Sequence, residues 1–195
     1  MKNLIVKISE GLGNQLFMYA NSYALSKELN YKLHIDNTSG YFKDKNKIRN
    51  FELDKFNIYA DLSDKKYKFD NSFLNIKKKI LKKLDKFKLN KSFLIEKKDK
   101  NKLCSYQNYT NYNYSNLLFL EGHFESEKYF INYAKDIRDQ FVVKNNFIET
   151  DNKYIDDIKK SNSISICIRQ HRFSERGFFD IERSNKFTSD TINYV

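Results

Sequence analysis

The chain has 195 residues, of which 40% are hydrophobic and 16% aromatic, and its net charge is +11. This length suffices for one domain with a substantial core and part of a second. The absence of any apolar run of about 18 residues excludes a membrane-spanning helix, and the first residues lack the pattern of a signal peptide.

The first predicted elements are a strand, a turn and a helix. Residues 4–8 form a short apolar run that barely alternates, which is typical of a strand buried on both faces. Residues 9–14 predict a turn, and apolar residues recur at helical spacing over residues 15–29. Asn30 is a suitable residue to end that helix, and residues 32–36 predict a second strand. This order favours a parallel sheet.

A lysine-rich segment follows residues 37–70, which predict irregular structure with one or two short helices. Residues 65–102 contain 15 lysines and four acidic residues, a surplus of 11 that equals the net charge of the whole chain. Within this segment, residues 73–89 predict an amphipathic helix whose lysines form a solvated face. Its apolar face consists of Phe73, Ile76, Ile80, Leu84 and Phe87. Residues 90–116 are rich in tyrosine and asparagine and predict a surface excursion.

The last part of the sequence again predicts strands that alternate with helices. Residues 117–122 predict a buried strand, and residues 126–141 predict a helix capped by its first serine. A shorter helix at 155–160, a strand at 163–168 and a basic, aromatic loop at 169–184 follow. A final helix pattern stops after two turns, so we expect the chain to be incomplete. We interpret the whole as an α/β fold, a Rossmann-like parallel sheet flanked by helices, with a lysine-rich helical insertion.

The turn Glu10-Gly-Leu-Gly-Asn-Gln15 joins the first strand to the first helix, an arrangement that can bind an anion at the helix N-terminus. It lacks the Gly-Lys-Ser/Thr sequence of a P-loop, which excludes that motif. Gly11 and Gly13 fit a dinucleotide fingerprint with Asp36 as the ribose-binding acid, but Leu16 occupies the place of the third glycine. A tight turn without a ligand is a further alternative.

Two carboxamide residues, Asn14 and Gln15, follow the glycines of this turn. One carboxamide would suffice to cap the helix. Beside free backbone N–H groups, a pair of carboxamides favours polar, uncharged recognition of a sugar or of a phosphate edge. The pair therefore favours a ligand site over a simple turn.

Three segments carry a resemblance to a known family. Gly11-Leu-Gly-Asn-Gln-Leu-Phe-Met-Tyr-Ala20 resembles the N-terminal signature of the α-1,2-fucosyltransferases, glycosyltransferase family 11. Leu120-Glu-Gly-His-Phe-Glu-Ser-Glu-Lys-Tyr-Phe130 is similar to that family's glycine-aromatic-x-Ser-Glu-Lys-Tyr-Phe segment. Ser163-Ile-Ser-Ile-Cys-Ile-Arg169 lies where the family has a strand ending in His-x-Arg-Arg-x-Asp, of which Arg169 alone is in register. The motif's histidine, second arginine and aspartate are replaced by Cys167, Gln170 and Arg172.

The resemblance implies a two-domain enzyme of the GT-B type, a galactoside 2-α-L-fucosyltransferase. Such an enzyme transfers L-fucose from GDP-fucose to a galactoside-containing glycan, inverts the anomeric centre, and needs neither a metal ion nor another cofactor. Residues 1–160 would form the N-terminal, acceptor-side domain, and residues 161–195 would begin the C-terminal, donor-binding domain. We expect such a fragment to be inactive alone.

The resemblance also implies site residues. Without a metal, arginine and helix-terminus amides must stabilise the leaving diphosphate, so we expect Arg169 and Asn14 to act as the catalytic residues. The expected substrate-binding residues are Gly11, Gly13, Gln15, His171, Arg172 and Glu125. The alternatives are an ion pair between Arg169 and Glu175 and a helix-capping role for Asn14. Spacing singles out no general base among Asp36, Glu10, Glu121 and Glu125.

The lysine-rich segment supports two further alternatives. Lysines along a helix can neutralise phosphates, so a non-enzymatic nucleic-acid-binding module is one of them, although the segment has no arginine. Helix 73–89 also fits peripheral association with an anionic membrane. Cys104 and Cys167 show neither metal-ligand spacing nor a disulfide framework. We therefore expect a cytoplasmic protein with possible peripheral contact to the inner membrane face.

Overall fold

The computed structural model describes residues 2–43, 49–97, 105–144 and 153–164. The chain divides into two compact units, residues 1–148 and 149–195. In the second unit the structure describes one α-helix, Lys153–Lys160, close to the predicted helix at 155–160. The strand predicted at 163–168 lies largely outside the described residues, and the predicted domain boundary near residue 160 stays a prediction.

The first unit is built on a five-stranded parallel sheet. Its main elements are, in chain order, β1 (Asn3–Lys7), α1 (Leu12–Leu29), β2 (Lys32–Asp36), β3 (Asp61–Leu62), α2 (Ser72–Asp85), β4 (Lys91–Ile95), β5 (Tyr114–Glu121) and α3 (Ala134–Gln140). The strands are ordered β3-β2-β1-β5-β4, and each neighbouring pair is parallel. The predicted α/β fold, a Rossmann-like parallel sheet flanked by helices, is therefore confirmed.

The core lies around the central strand and α1. β1 is buried along its middle because β2 and β5 pair with it on either side. On α1, Tyr19, Ala20 and Ala24 are buried, and the small alanines let the helix lie close to the sheet. The helix ends at Asn30, which has a φ of 57° and whose backbone N–H donates to the Lys27 carbonyl. The predicted end of the first helix is therefore confirmed.

Two strands were not predicted. β4 lies in the segment expected to be a surface excursion, and it pairs with β5. Only Leu94 and the strand's neighbour Glu96 are buried there, so the apolar signal in the sequence is weak. β3 has two residues, both exposed, and extends the sheet beside β2. In both cases pairing with a neighbouring strand, rather than an apolar pattern, determines the strand.

The helix predicted at 126–141 is interrupted. Two 3₁₀ turns, Glu127–Tyr129 and Ile131–Tyr133, precede α3. Phe130 joins them with a φ of −141°, which is not helical. The prediction of one continuous helix is therefore wrong, although the hydroxyl of Ser126 accepts a hydrogen bond from the Lys128 N–H and caps the first turn as expected.

The orientation of α2 also differs from the expected one. Its apolar residues share one face, as predicted, but that face points to solvent: Ile80 is 55% exposed and Phe73 is 76% exposed. Lys78 is buried on the opposite side, towards the sheet. The expectation that the lysine face is the solvated one is therefore wrong for this part of the helix.

Candidate functional site

The strand order places a topological switch point beside β1. The chain passes from β1 to β2 on one side of the sheet, whereas β5 and β4 lie on the other side of β1. In open α/β sheets, ligands bind at the carboxyl ends of the strands beside such a point. The segments that meet there are the turn between β1 and α1, residues 8–11, and the turn after β5, residues 122–126.

A pocket of about 200 Å³ opens at this edge of the sheet. It is lined by Lys7, Ser9, Met18, Ile95, Glu96, Glu121, Gly122 and His123. A larger pocket of about 440 Å³ lies along β4 and α2 at the outer edge of the sheet, away from the β1–β5 switch point. Topology therefore favours the smaller pocket as the candidate site.

Both turns at the switch point contain a strained backbone. Glu10 has a φ of 66° and Phe124 a φ of 54°. Non-glycine residues in this left-handed region cost about 1–3 kcal/mol each, and they concentrate at functional sites. Such conformations persist only where surrounding contacts hold them.

Gln15 holds the first turn from inside the protein. Its side chain is fully buried. The Nε2 amide donates to the Glu10 carbonyl at 2.9 Å and to the Asn50 carbonyl at 2.8 Å, and Oε1 accepts from the Glu52 N–H at 2.9 Å. Both donors of the carboxamide are therefore used within the protein, and the residue ties the strained turn to residues 50–52.

Glu96 holds the second turn in a similar way. Its buried carboxylate accepts hydrogen bonds from the backbone N–H of His123 at 2.8 Å and from that of Phe124 at 3.1 Å. A Cβ atom on Gly122 would lie 2.4 Å from the Cβ of Glu96, so glycine is required for this close approach. The edge strand β4 therefore positions the turn that follows β5.

The start of α1 is open. Gly11 is the N-cap residue, and within the described ranges no side chain caps the helix, so the first N–H groups are available to an anion. A Cβ atom on Gly11 or Gly13 would meet nothing within 4 Å. Packing against the part of the chain that the structure describes therefore does not require either glycine, which leaves close approach of a ligand as a reason for them.

Asn14 lies half-buried in the first turn of α1. Among the described residues, no group hydrogen-bonds to its carboxamide, and the helix has no side-chain cap. The alternative role of Asn14 as a capping residue is therefore not what the structure shows. Its carboxamide remains free to bind a ligand.

Three lysines surround the carboxylate of Glu121 at the end of β5. The distances from their Nζ atoms to the carboxylate are 3.5 Å for Lys7, 3.2 Å for Lys78 and 2.7 Å for Lys82. Burial opposes ionisation, but the attraction of the three ammonium groups outweighs it and lowers the pKa of Glu121 to about 2. Burial also lowers the pKa of Lys78, despite the attraction of Glu121. The cluster is cationic overall.

His123 is a site residue that the sequence analysis did not single out. It lines the pocket, and its Nδ1 lies 3.5 Å from the carboxylate of Glu125. Glu125, a predicted substrate-binding residue, is more than half exposed. The signal in the sequence was the place of His123 directly after the buried strand predicted at residues 117–122, where a side chain reaches the ligand-binding edge of a sheet.

Two other carboxylates, those of Asp36 and Glu10, are bonded to groups within the protein. Asp36 is buried, and its Oδ1 accepts hydrogen bonds from the backbone N–H groups of Thr38 and Ser39. It caps the turn after β2, which weakens the dinucleotide interpretation because that role needs a carboxylate open to a ribose. Glu10 forms an ion pair with Arg49. Neither group is placed as a free base.

The remaining predicted site residues, Arg169, His171 and Arg172, lie outside the described residues, as do the replaced motif residues Cys167 and Gln170. In the part of the chain that the structure describes, no three His, Cys, Asp or Glu side chains cluster in a way that would hold a metal ion. None of the described helices is long and apolar enough to cross a membrane.

Comparison with known proteins relates the chain to a sugar-transferring enzyme. It is 31% identical over 181 residues to an alpha-1,2-colitosyltransferase of Escherichia coli. The match covers 87% of this chain and 55% of the relative, so the chain spans about half of that protein's length. No protein-family model and no solved structure matches the chain. Over most of its length, the chain is therefore similar in sequence to a glycosyltransferase.

Proposed function

We propose that this chain is part of a glycosyltransferase that transfers L-fucose, or the related deoxysugar colitose, from a GDP-sugar to the 2-hydroxyl of a galactoside. The transfer inverts the anomeric centre and uses no metal ion. The similarity to a colitosyltransferase supports sugar transfer in general. One structural observation supports this proposal: of the two segments with the clearest family resemblance, residues 11–20 begin four residues after the end of β1, and residues 120–130 begin in the last two residues of the neighbouring strand β5.

Two regions of the chain have the chemistry to bind the donor. The open N-terminus of α1 offers backbone N–H groups to a phosphate oxygen, and Asn14 adds a free carboxamide. In this proposal Arg169 gives a bidentate contact to the diphosphate as it leaves. Gln15 contributes by holding the turn, since both of its donors are bonded within the protein.

The acceptor hydroxyl must lose a proton as its oxygen attacks the anomeric carbon and GDP departs from the opposite face. Glu121 is a poor base because its pKa is about 2. In this proposal His123 takes the proton, and the neighbouring carboxylate of Glu125 orients its ring. Replacing His123 by Ala should slow transfer at saturating acceptor without lowering donor affinity. Unchanged turnover in that variant would exclude His123 as the base.

The experiment that tests the function is a transfer assay on the complete enzyme of which this chain is proposed to be a part, with GDP-fucose or GDP-colitose as donor and lactose as galactoside acceptor, with and without EDTA. NMR of the product identifies the linkage. We expect an α-1,2 linkage in the presence of EDTA. Calorimetric titration of the 195-residue chain should show weak binding of the GDP-sugar and none of NAD. Tighter binding of NAD, or the absence of transfer from both donors, would contradict the proposal.

Asn14→Ala separates a ligand contact from a structural role. Because the carboxamide makes no hydrogen bond among the described residues, the variant should melt within about 1 °C of the wild type. Its affinity for the GDP-sugar should fall about tenfold, the loss of one good hydrogen bond. Asn132→Ala, at an exposed position on a 3₁₀ turn, is the matched control and should change neither quantity. A lowered melting temperature with unchanged affinity would assign Asn14 to capping.

A further inference from the structure

Helix α2 and the turn after it present a continuous apolar surface to solvent. The exposed fraction is 57% for Ile76, 55% for Ile80 and 55% for Leu84, and it reaches 89% for Phe87. With Phe73, these residues recur every three or four positions, so they form one line along the helix. We call these five residues the apolar stripe.

Polar contacts explain why the apolar stripe points outward. On the opposite side of α2, Lys78 and Lys82 pair with Glu121 of β5. Asp85 accepts hydrogen bonds from the backbone N–H of Ser92 at 2.9 Å and of Phe93 at 3.1 Å. Ion pairs and hydrogen bonds to the sheet therefore fix the helix with its apolar side exposed. These contacts do not explain why the exposed side is apolar, which points to a binding partner for the apolar stripe.

Exposed lysines border the apolar stripe on both sides. Lys77 lies four residues after Phe73 and three before Ile80, and Lys83 lies three after Ile80 and four before Phe87. Lys79 and Lys88 lie beyond them, and all four side chains are exposed. An apolar strip between two rows of cations is the pattern of a helix that lies in a membrane interface, with cations at the level of the headgroups.

Charge favours an anionic lipid surface, rather than a second copy of the chain or a nucleic acid, as the partner of the apolar stripe. A second copy of α2 would bring its own lysine rows against those of the first, and like charges repel. A nucleic acid would pair with the lysines and leave the apolar stripe in water. A lipid surface with anionic headgroups satisfies both features, because phosphates meet the lysines while the stripe enters the acyl boundary.

We propose that α2 docks the protein on an anionic lipid surface, with the apolar stripe inserted at the boundary between headgroups and acyl chains. The surplus of 11 positive charges in residues 65–102 adds attraction to such a surface. An enzyme that acts on lipid-linked glycans would thereby be held near its acceptor, although the docking does not depend on the proposed transfer.

Flotation of the 195-residue chain with vesicles tests the proposal. One set of vesicles contains phosphatidylcholine alone, and the other contains phosphatidylglycerol as one third of its lipid. The wild type should float with the anionic vesicles and bind the neutral ones at least tenfold more weakly. Binding to neither kind at low salt would overturn the proposal.

Three variants separate the contributions. Ile76→Gln/Ile80→Gln/Leu84→Gln should reduce binding to anionic vesicles at least tenfold, since glutamine retains the helix. Lys77→Gln/Lys83→Gln/Lys88→Gln should reduce it similarly and weaken its dependence on salt. Ile131→Gln/Val142→Gln, at comparably exposed apolar positions outside α2, is the control and should bind like the wild type.

Two outcomes would contradict insertion of the apolar stripe into a lipid surface. If the stripe variant binds anionic vesicles as well as the wild type does, the lysines alone act and the apolar stripe has no part. If the wild type forms a dimer in sedimentation without vesicles, and the stripe variant is a monomer, the stripe is an interface between copies of the chain. Thermal melting of each variant, expected to match the wild type, shows that the fold is retained.

Discussion

Replacing Glu121 by Gln should lower the free energy of unfolding at pH 7 by about 3 kcal/mol, because the change leaves a buried cationic cluster without its counter-charge. The Lys78 side chain is only 8% exposed, so its ammonium group has little access to water once the carboxylate is gone. Lys7 and Lys82 are partly exposed and recover hydration, which keeps the loss from being larger. Urea denaturation followed by circular dichroism measures the difference.

The pH dependence of the difference in free energy of unfolding between the wild type and Glu121→Gln identifies the cause of that difference. The pKa of Glu121 is about 2 in the folded protein, below its ordinary value of 4.5. A carboxyl whose pKa is depressed on folding stabilises the protein above its unfolded pKa, and this contribution is lost as the pH falls through the folded pKa. The difference in free energy of unfolding between the wild type and Glu121→Gln should therefore be complete above about pH 5 and shrink as the pH falls towards 2.

Glu125→Gln is the matched control, since Glu125 is an exposed carboxylate four residues along the same segment. Its removal should change the free energy of unfolding by less than about 0.5 kcal/mol. If the Glu121 variant instead shows the same deficit at pH 3 and at pH 7, lost packing rather than lost charge explains it. The ion pairs that orient α2 would then contribute little.

The first unit's central motif could be predicted because its signals are local. The strand, turn and helix at residues 3–29 follow from an apolar run, two glycines and a helical period within one stretch of chain. The second strand matches its prediction at Lys32–Asp36. Where hydrophobic pattern, turn residues and cap agree, the sequence determines both the elements and their order.

The orientation of α2 could not be predicted because a hydrophobic pattern shows that a helix has two faces but not which face the protein contacts. Glu121 determines which face contacts the sheet because it forms ion pairs with Lys78 and Lys82, and it lies about 40 residues from both in sequence. The default expectation places the apolar face inward. Here buried ion pairs decide the orientation.

The candidate site was predicted in part. The turn at Glu10–Gln15 lies at the switch point, and the segment that begins at Leu120 reaches the same edge of the sheet from the neighbouring strand. His123 was missed because no spacing rule marks a single histidine. The roles of Arg169, His171 and Arg172 stay predictions, since these residues lie outside the part of the chain that the structure describes.

Gln15→Leu should lower the free energy of unfolding by about 2 kcal/mol, although leucine fills a similar volume. The change removes two hydrogen bonds to the carbonyls of Glu10 and Asn50 and one from the N–H of Glu52. Without them the strained backbone of Glu10 loses its hydrogen-bonded link to residues 50–52, and the ion pair between Glu10 and Arg49 is left to hold the turn. Hydrogen exchange at the Glu52 amide should become faster by more than tenfold, which NMR measures directly.

The neighbouring residue supplies the contrast, because Asn14→Ala should reduce the affinity for the GDP-sugar and leave stability unchanged. Gln15→Glu should resemble Gln15→Leu, since a carboxylate can accept from Glu52 but cannot donate to the two carbonyls. If Gln15→Leu unfolds at the same urea concentration as the wild type while donor binding is lost, Gln15 contacts the ligand, as its sequence position predicted. If Gln15→Leu lowers the free energy of unfolding, and Asn14→Ala lowers only the affinity for the GDP-sugar, the two adjacent carboxamides have different roles. Gln15 then stabilises the turn, and Asn14 contacts the ligand.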